Sequence, residues 1–323
     1  MIISRLHRMA LLPTMLLLMV GFSMLTGGAK LICDSATHVA RRLGIGSSVT
    51  GIFLVSIGTS APDFVSVITA LWEGHQDISI GNILGSNFAN ATLGFGIASL
   101  VMPFKCTKEI AKVEFPLLLA LTVFFAIRCL RGGLSRLDGI VLMVAFASYA
   151  YLSFCGKGSK VLKLRQEPTA ANFVDWPMGR SVLIFALSAA LLAWGAHLVV
   201  MSCCKISDFF GLSKTFVGFS LLAFGTSAPE IFVVAIAARR GNHAICSGNI
   251  IGSSLINLMF VAGLCATVHP LYLGKNVFFI EAIVLIGATA MGWYVFWTKK
   301  VFSRMCGLIF IATYLAAMLL MKN

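Results

Sequence analysis

Charge is scarce in this sequence. Of its 323 residues only 11% are charged and just 12 are acidic, whereas 59% are hydrophobic. A typical soluble globular domain has roughly 25% charged residues, so this composition excludes that class and indicates a membrane protein. The connections between the apolar runs are short, which leaves no room for a separate soluble domain.

Motifs for catalysis and for resident cofactors are also missing. The nine cysteines show no C-x-x-C or Cys/His spacing of a zinc or redox site. The sequence has no nucleophile–base arrangement and no phosphate-binding loop, so we expect neither an enzyme nor a bound cofactor. The net charge of +13 arises from basic residues that lie mostly between the apolar runs. We therefore expect a lipid bilayer, and not nucleic acid, as the large-scale partner.

Ten apolar stretches reach the length of about 20 residues that a membrane-spanning helix needs. They lie near residues 10–30, 46–72, 78–102, 113–130, 137–155, 180–201, 215–238, 244–267, 277–297 and 303–321. If the N-terminus is outside, sixteen of the 25 Lys and Arg residues fall on the cytoplasmic side. The positive-inside rule therefore predicts that both termini are outside.

The chain repeats itself at an offset of 167 residues without a gap from residue 28 to residue 114. The segment GTSAP recurs from Gly58 to Pro62 and from Gly225 to Pro229, and Glu114 aligns with Glu281. Each copy holds five predicted spans. An odd number inverts the second copy in the membrane, which is the architecture of many secondary transporters.

The predicted fold class is therefore an all-α integral membrane protein with ten transmembrane helices in two inverted five-helix repeats. The first repeat covers residues 1–155 with ion-binding segments in 51–100, and the second covers 180–323 with ion-binding segments in 218–267. A basic cytoplasmic linker at 156–179 joins them. The sequence leaves the oligomeric state open, and a monomer is compatible with it.

Two acidic residues stand where the sequence otherwise predicts lipid-buried helix. Asp63 follows the first GTSAP segment and Glu230 follows the second. A charged side chain at the bilayer centre costs about 2.5–3.5 kcal/mol on insertion scales, so each is a functional-site candidate. Pro62 cannot close the helical hydrogen-bond ladder, which predicts broken helices that line a polar cavity.

The third span of each repeat carries a second motif, G-N-x-x-G-S-x-x-x-N, which begins at Gly81 and at Gly248. Both motifs contribute oxygen donors, and neither contributes a thiolate or an imidazole. Hard oxygen ligands suit Ca²⁺ and Na⁺ better than zinc or copper. The candidate ligands are Thr59, Ser60, Asp63, Ser86, Asn90, Thr226, Ser227, Glu230, Ser253 and Asn257.

With these paired motifs, the chain resembles the membrane domain of the sodium/calcium exchanger family, in the cation/calcium antiporter superfamily, and most of all its compact prokaryotic members. The resemblance covers nearly the whole chain. It implies that the same ten residues bind the transported cations, and it suggests a bacterial inner membrane as the location.

Three positions depart from the family pattern. Asp63 stands where members commonly carry Glu, Ser254 replaces a second asparagine, and Asn257 stands where sodium-coupled members often have Asp. With two site carboxylates in place of three, a three-sodium stoichiometry is less secure and there is room for coupling to protons or potassium.

The sequence thus predicts a secondary antiporter that exchanges Ca²⁺ for Na⁺ by alternating access. A proton-coupled, or potassium-involving, Ca²⁺ or cation exchanger on the same scaffold is the alternative, and a passive cation channel is a third hypothesis. The first and sixth spans are candidates for the moving gate.

Overall fold

The structure is a computed structural model that describes residues 2–44, 49–72, 74, 76–105, 110–155, 176–210, 223–272, 279–299 and 301–320. Within this part the chain is almost entirely helical. Residues 156–175, which make up most of the predicted linker, and residues 211–222, which precede the second GTSAP segment, lie outside the described residues.

The helices of the first half are α1 (Ile2–Leu43), α2 (Ser56–Thr59), α3 (Ala61–Trp72), α4 (Gln76–Ala89), α5 (Phe95–Val101), α6 (Phe115–Leu130) and α7 (Arg136–Cys155). Those of the second half are α8 (Met178–Phe210), α9 (Ala223–Arg239), α10 (His243–Leu255), α11 (Ala262–Val268), α12 (Phe279–Lys299) and α13 (Arg304–Leu320). Wider π-helical turns span Thr50–Val55, Asn90–Gly94, Ile110–Glu114 and Ile256–Val261. Four two-residue strands complete the order: β1 (Phe104–Lys105), β2 (Gly133–Leu134), β3 (Leu271–Tyr272) and β4 (Val301–Phe302).

Several helices are long and apolar enough to cross a bilayer. In the described part of the chain six meet this condition: Pro13–Leu43, Ile110–Leu130, Arg136–Phe154, Met178–Val199, His243–Val268 and Phe279–Thr298. The bent pair Thr50–Thr59 and Ala61–Trp72 makes a seventh candidate. Helices α9 and α13 have 17 described residues each, and the α4–α5 stretch carries many polar side chains. The protein is therefore a multi-pass membrane protein, and the ten-span count stays a prediction.

The two GTSAP segments form different helices. In the first, α2 ends at Thr59, α3 begins at Ala61, and the two are bent by 48°. Pro62 is the second residue of α3, where its missing N–H costs no helical hydrogen bond. In the second, α9 runs unbroken through Pro229. The predicted break in the second copy is thus wrong, because an internal proline can remove one backbone bond without ending the helix.

The second half repeats the element order of the first. Helices α4 and α10 begin 167 residues apart, at Gln76 and His243, and so do β1 and β3, at Phe104 and Leu271. In both halves a π-helical segment directly follows the helix, beginning at Asn90 after α4 and at Ile256 after α10. These turns stand where the sequence allowed a break in the third span, so the chain widens its helical turn there instead of ending the helix.

The short strands pair between the halves, and the all-α prediction did not include them. β1 pairs antiparallel with β4, and β2 pairs antiparallel with β3. Two-residue strands are too short to show the alternating pattern by which strands are predicted. Aromatic rings pack the first ladder against α5, with ring centroids 5.1 Å apart for Phe95 and Phe302 and 5.6 Å apart for Phe104 and Phe302.

Glycine allows the halves to meet closely beside the GTSAP segment. A Cβ atom on Gly51 would lie 3.0 Å from the Cα of Ile245 in α10. A Cβ atom on Gly252 in α10 would overlap the backbone of Ile52 and the hydroxyl of Ser56. Helix α10 of the second half therefore packs directly on the π-helical turn that leads into α2.

Candidate cation-binding site

Both carboxylates are buried where the two halves meet. Asp63 and Glu230 are each only 1% exposed. Asp63 lies in the first turn of α3, where the positive end of the helix dipole stabilises an anion. Glu230 follows Pro229 within α9. Ser86 bonds to Asp63 and lies 3.4 Å from the hydroxyl of Thr226 in the other half. Ser60 of the first half bonds to Glu230, so the fold brings the paired acids of the two copies to one region.

Asp63 has a hydrogen-bond donor on each of its oxygens. The hydroxyl of Ser86 donates to Oδ1 at 2.9 Å, and the Nδ2 amide of Asn257 donates to Oδ2 at 2.8 Å. Ser86 belongs to the same half as Asp63, whereas Asn257 comes from the other half. The Asp63 side chain therefore joins the two halves through its hydrogen bonds.

Glu230 is held at one oxygen only. The hydroxyl of Ser60, at the bend between α2 and α3, donates to Oε1 at 2.9 Å. The other oxygen, Oε2, has no hydrogen-bond partner among the described residues. The equivalent hydroxyl of the second copy, Ser227, also has none. The serine that bonds to Asp63 thus belongs to the same half, whereas the serine that bonds to Glu230 belongs to the opposite half.

A symmetric set of hydrogen bonds frames the carboxylates. The hydroxyl of Thr59 donates to Oδ1 of Asn249 at 3.2 Å and lies 3.4 Å from the hydroxyl of Ser253. In the other half, Thr226 donates to Oδ1 of Asn82 at 3.2 Å and lies 3.4 Å from the hydroxyl of Ser86. Each threonine therefore bonds to the third-span motif of the opposite half, and the two arrangements match at the 167-residue offset.

Asn82, Asn249 and Ser56 are contact residues that the predicted ligand set did not include. Ser56 donates to the backbone oxygen of Asn249 at 3.1 Å and lies 3.3 Å from its Oδ1. The first asparagine of each G-N-x-x-G-S motif could have been found, because both copies carry it in the same place. No signal pointed to Ser56, whose equivalent in the second half is Ala223.

All ten predicted ligands lie in the described part of the chain and are buried. Eight of them form a hydrogen bond or a close hydroxyl contact with another member of the set. Asn90 and Ser227 do not: both amide atoms of Asn90 and the hydroxyl of Ser227 lack partners among the described residues, as does Oδ1 of Asn257. Buried polar atoms are almost always hydrogen-bonded in folded proteins, so these unpartnered atoms are available to an ion or to water.

Positive side chains are not found at the site among the residues whose burial the structure describes. None of the Lys and Arg residues in that set is buried. Two ion pairs there join other residues, Arg128 to Asp138 at 2.6 Å and Arg240 to Asp34 at 2.5 Å. No group of three or more His, Cys, Asp or Glu residues that could hold a metal occurs among the described residues. The site combines carboxylates with hydroxyl and amide oxygens, the donors that hard cations prefer.

Comparisons with known proteins point to one family. The family model described as "Sodium/calcium exchanger protein" matches residues 13–155 and again residues 180–322. The inner membrane protein YrbG of Escherichia coli is 30% identical over 260 residues, which cover 79% of each chain. The sodium/calcium exchanger MaX1 of Methanosarcina acetivorans is 27% identical over 307 residues, covering 84% of this chain and 87% of that protein.

A solved structure is similar over almost the full length. The sodium-calcium exchanger NCX_Mj, soaked with 2.5 mM Na⁺ and 0.1 mM Ca²⁺, matches with a TM-score of 0.78 and 26% identity. The match covers 94% of this chain and 97% of that one. Fold and site together define a multi-pass cation transporter. The chain belongs to the sodium/calcium exchanger family.

Proposed function

We propose that this protein is a secondary active antiporter that exchanges Ca²⁺ for Na⁺ by alternating access. One observation carries the proposal: two buried carboxylates, one from each half, share a site with unpartnered oxygens. Among the residues whose burial the structure describes, no buried Lys or Arg neutralises them. Repulsion between two such carboxylates makes an empty site costly, so one cation is expected to leave only as another enters.

The ligand shell consists of the ten predicted residues. Asp63 and Glu230 neutralise and bind the cation, and the threonine and serine hydroxyls add neutral oxygens. Asn90 and Asn257 contribute amide oxygens, and both oxygens lack a partner among the described residues. A shell of six to eight oxygens is typical of Ca²⁺, and this set is large enough to supply it.

The proposed architecture has ten spans in two inverted repeats, residues 1–155 and 180–323, joined by a cytoplasmic linker at 156–179. The strand pairs support it, because β1 pairs with β4 and β2 pairs with β3. Six predicted spans separate β1 from β4 and four separate β2 from β3, so each pair joins loops on the same side of the membrane. Five predicted spans, an odd number, separate β1 from β3, its equivalent in the second half. Those two strands are therefore expected on opposite sides of the membrane.

The proposed location is a bacterial inner membrane with both termini outside. The excess of basic residues in the predicted cytoplasmic loops supports this orientation. A relative from Escherichia coli is named an inner membrane protein. The first and sixth predicted spans, which lie within α1 and α8, are the proposed gate.

The test is ⁴⁵Ca uptake by proteoliposomes with gradients of Na⁺, K⁺ and pH imposed one at a time. Uptake against the Ca²⁺ gradient that needs an outward Na⁺ gradient supports the proposal. Uptake driven only by the pH or K⁺ gradient would replace Na⁺ by that ion in the same scheme. Flux that follows the Ca²⁺ gradient without a counter-ion would identify a passive channel and contradict antiport.

A further inference from the structure

An ion pair joins the two halves of the chain at the proposed gate. Arg240 of the second half donates through Nη1 to Oδ1 of Asp34 in α1 at 2.5 Å, and through Nη2 to Oδ2 at 3.4 Å. The other ion pair that the structure shows between described residues, Arg128 with Asp138, lies within the first half. The planar guanidinium matches the two oxygens of a carboxylate, so the Asp34–Arg240 pair has a defined geometry.

The connection between α9 and α10 holds Arg240 in place. The backbone N–H of Arg240 donates to the oxygen of Ile236 at 3.1 Å. Gly241 follows with a φ of +69°, which glycine adopts without strain, and the side chain of Asn242 caps α10. Arg240 is therefore mounted on a tight turn between two helices, of which α9 carries Glu230.

Asp34 lies on α1 beyond the predicted first span, which ends near residue 30. Helix α1 contacts α9 here, with the thiol of Cys33 4.0 Å from the backbone oxygen of Val233. The predicted topology places this end of α1 and the turn after α9 on the cytoplasmic side. The side chains of Asp34 and Arg240 are 25% and 35% exposed, so water can replace their bonds when a helix moves.

The repeat does not reproduce this ion pair. At the 167-residue offset Met201 stands in place of Asp34, and Glu73 stands in place of Arg240. A methionine and a glutamate cannot form an ion pair. The hydrogen bonds around the carboxylates are symmetric between the halves, whereas this contact fastens α1 at one end only.

We propose that Asp34 and Arg240 form a latch, which fastens the cytoplasmic end of α1 to the turn between α9 and α10 and opens each time α1 moves during transport. The inference rests on the proposed function, in which α1 is part of the gate, and adds a residue pair that controls its movement. Neither residue belongs to the proposed ligand shell, so both act on the position of α1 and not on the cation. Partly exposed ion pairs contribute modestly to stability, which suits a contact that breaks and re-forms in every cycle.

A crosslink tests whether the pair must open. In the double variant Asp34→Cys, Arg240→Cys, a bifunctional methanethiosulfonate joins the two positions, the linked peptides are identified by mass spectrometry, and dithiothreitol releases them. The readout is exchange of ⁴⁵Ca for unlabelled Ca²⁺ across proteoliposome membranes, which needs no coupling ion. We expect the crosslinked protein to lose exchange and to regain it on release, while the two single-cysteine variants, treated alike, keep theirs. Exchange at the full rate by the crosslinked protein would overturn the proposal.

Charge variants test whether the attraction controls the movement. Asp34→Asn and Arg240→Gln each remove one charge, and we expect ⁴⁵Ca exchange to become faster by up to about fivefold, the factor that corresponds to a partly exposed pair. The charge-swapped variant Asp34→Arg, Arg240→Asp restores the attraction and should return the rate towards that of the wild-type protein. Arg128→Gln breaks the other ion pair and is the matched control, which should not accelerate exchange.

Two results of the charge variants would overturn the latch. A pair that only stabilises the fold would give slower exchange and a lower thermal unfolding midpoint in Asp34→Asn and Arg240→Gln. Unchanged rates in both variants would show that the pair does not restrain α1. Absence of ⁴⁵Ca exchange by the untreated wild-type protein would instead refute the proposed function, so the two failures are distinguishable.

Discussion

Replacing Glu230 by glutamine keeps the shape of the side chain and removes its charge. The structure shows Glu230 buried, held by Ser60 at Oε1 and free at Oε2 among the described residues. Removing one partner of a buried charge interaction costs about 3–5 kcal/mol. At about 1.4 kcal/mol per factor of ten, we expect Ca²⁺ binding to weaken by roughly two to nearly four orders of magnitude.

The assay is equilibrium binding of ⁴⁵Ca to the purified protein in detergent. Glu281→Gln is the matched control, since it makes the same chemical change in the first turn of α12 at a partly buried acid. We expect the control to bind Ca²⁺ within about threefold of the wild-type protein, because it adds or removes no ligand at the site. Binding by Glu230→Gln within that same range, with the protein folded, would refute the assignment of Glu230 as a ligand.

Two further predictions concern packing and topology. Gly252→Ala should lower the thermal unfolding midpoint in detergent, because its Cβ would overlap Ile52 and overpacking costs about 1–3 kcal/mol. Gly287→Ala is the control and should leave the midpoint unchanged, since nothing lies within 4 Å of its Cβ. Equal effects of the two variants would contradict the close packing at Gly252. Cysteines at the exposed, repeat-equivalent positions Lys105 and Tyr272 should react with an impermeant maleimide from opposite sides of the membrane, Tyr272→Cys from outside, with the unsubstituted protein as the blank. Labelling of both from one side would rule out inverted repeats.

Much of the arrangement of the site follows from the 167-residue repeat. Paired motifs in apolar surroundings identified Asp63 and Glu230 as candidates, and the structure brings their halves together. The repeat also explains the symmetric bonds of Thr59 to Asn249 and of Thr226 to Asn82. These contacts depend on residue type and spacing, which a sequence displays directly.

Other features depend on differences too small for the pattern to reveal. The same pattern of apolar residues is compatible with an α-helical turn and with a π-helical turn at Asn90. Hydrophobicity therefore does not predict which of the two forms. Pro62 and Pro229 occupy equivalent positions, yet only the first adjoins a bend, because the surrounding packing decides whether a proline ends a helix. The bond from Asn257 to Asp63 joins residues that lie 194 positions apart, and no pattern in the sequence pairs them.

The central claim is that Asp63 and Glu230 hold the exchanged cation. Its most direct test is Na⁺-gradient-driven ⁴⁵Ca uptake by proteoliposomes that contain equal amounts of the wild-type protein or of the double variant Asp63→Asn, Glu230→Gln. We expect the wild-type protein to accumulate Ca²⁺ until the Na⁺ gradient is dissipated, and the double variant to match protein-free vesicles. Gradient-driven uptake that persists in the folded double variant would contradict the claim.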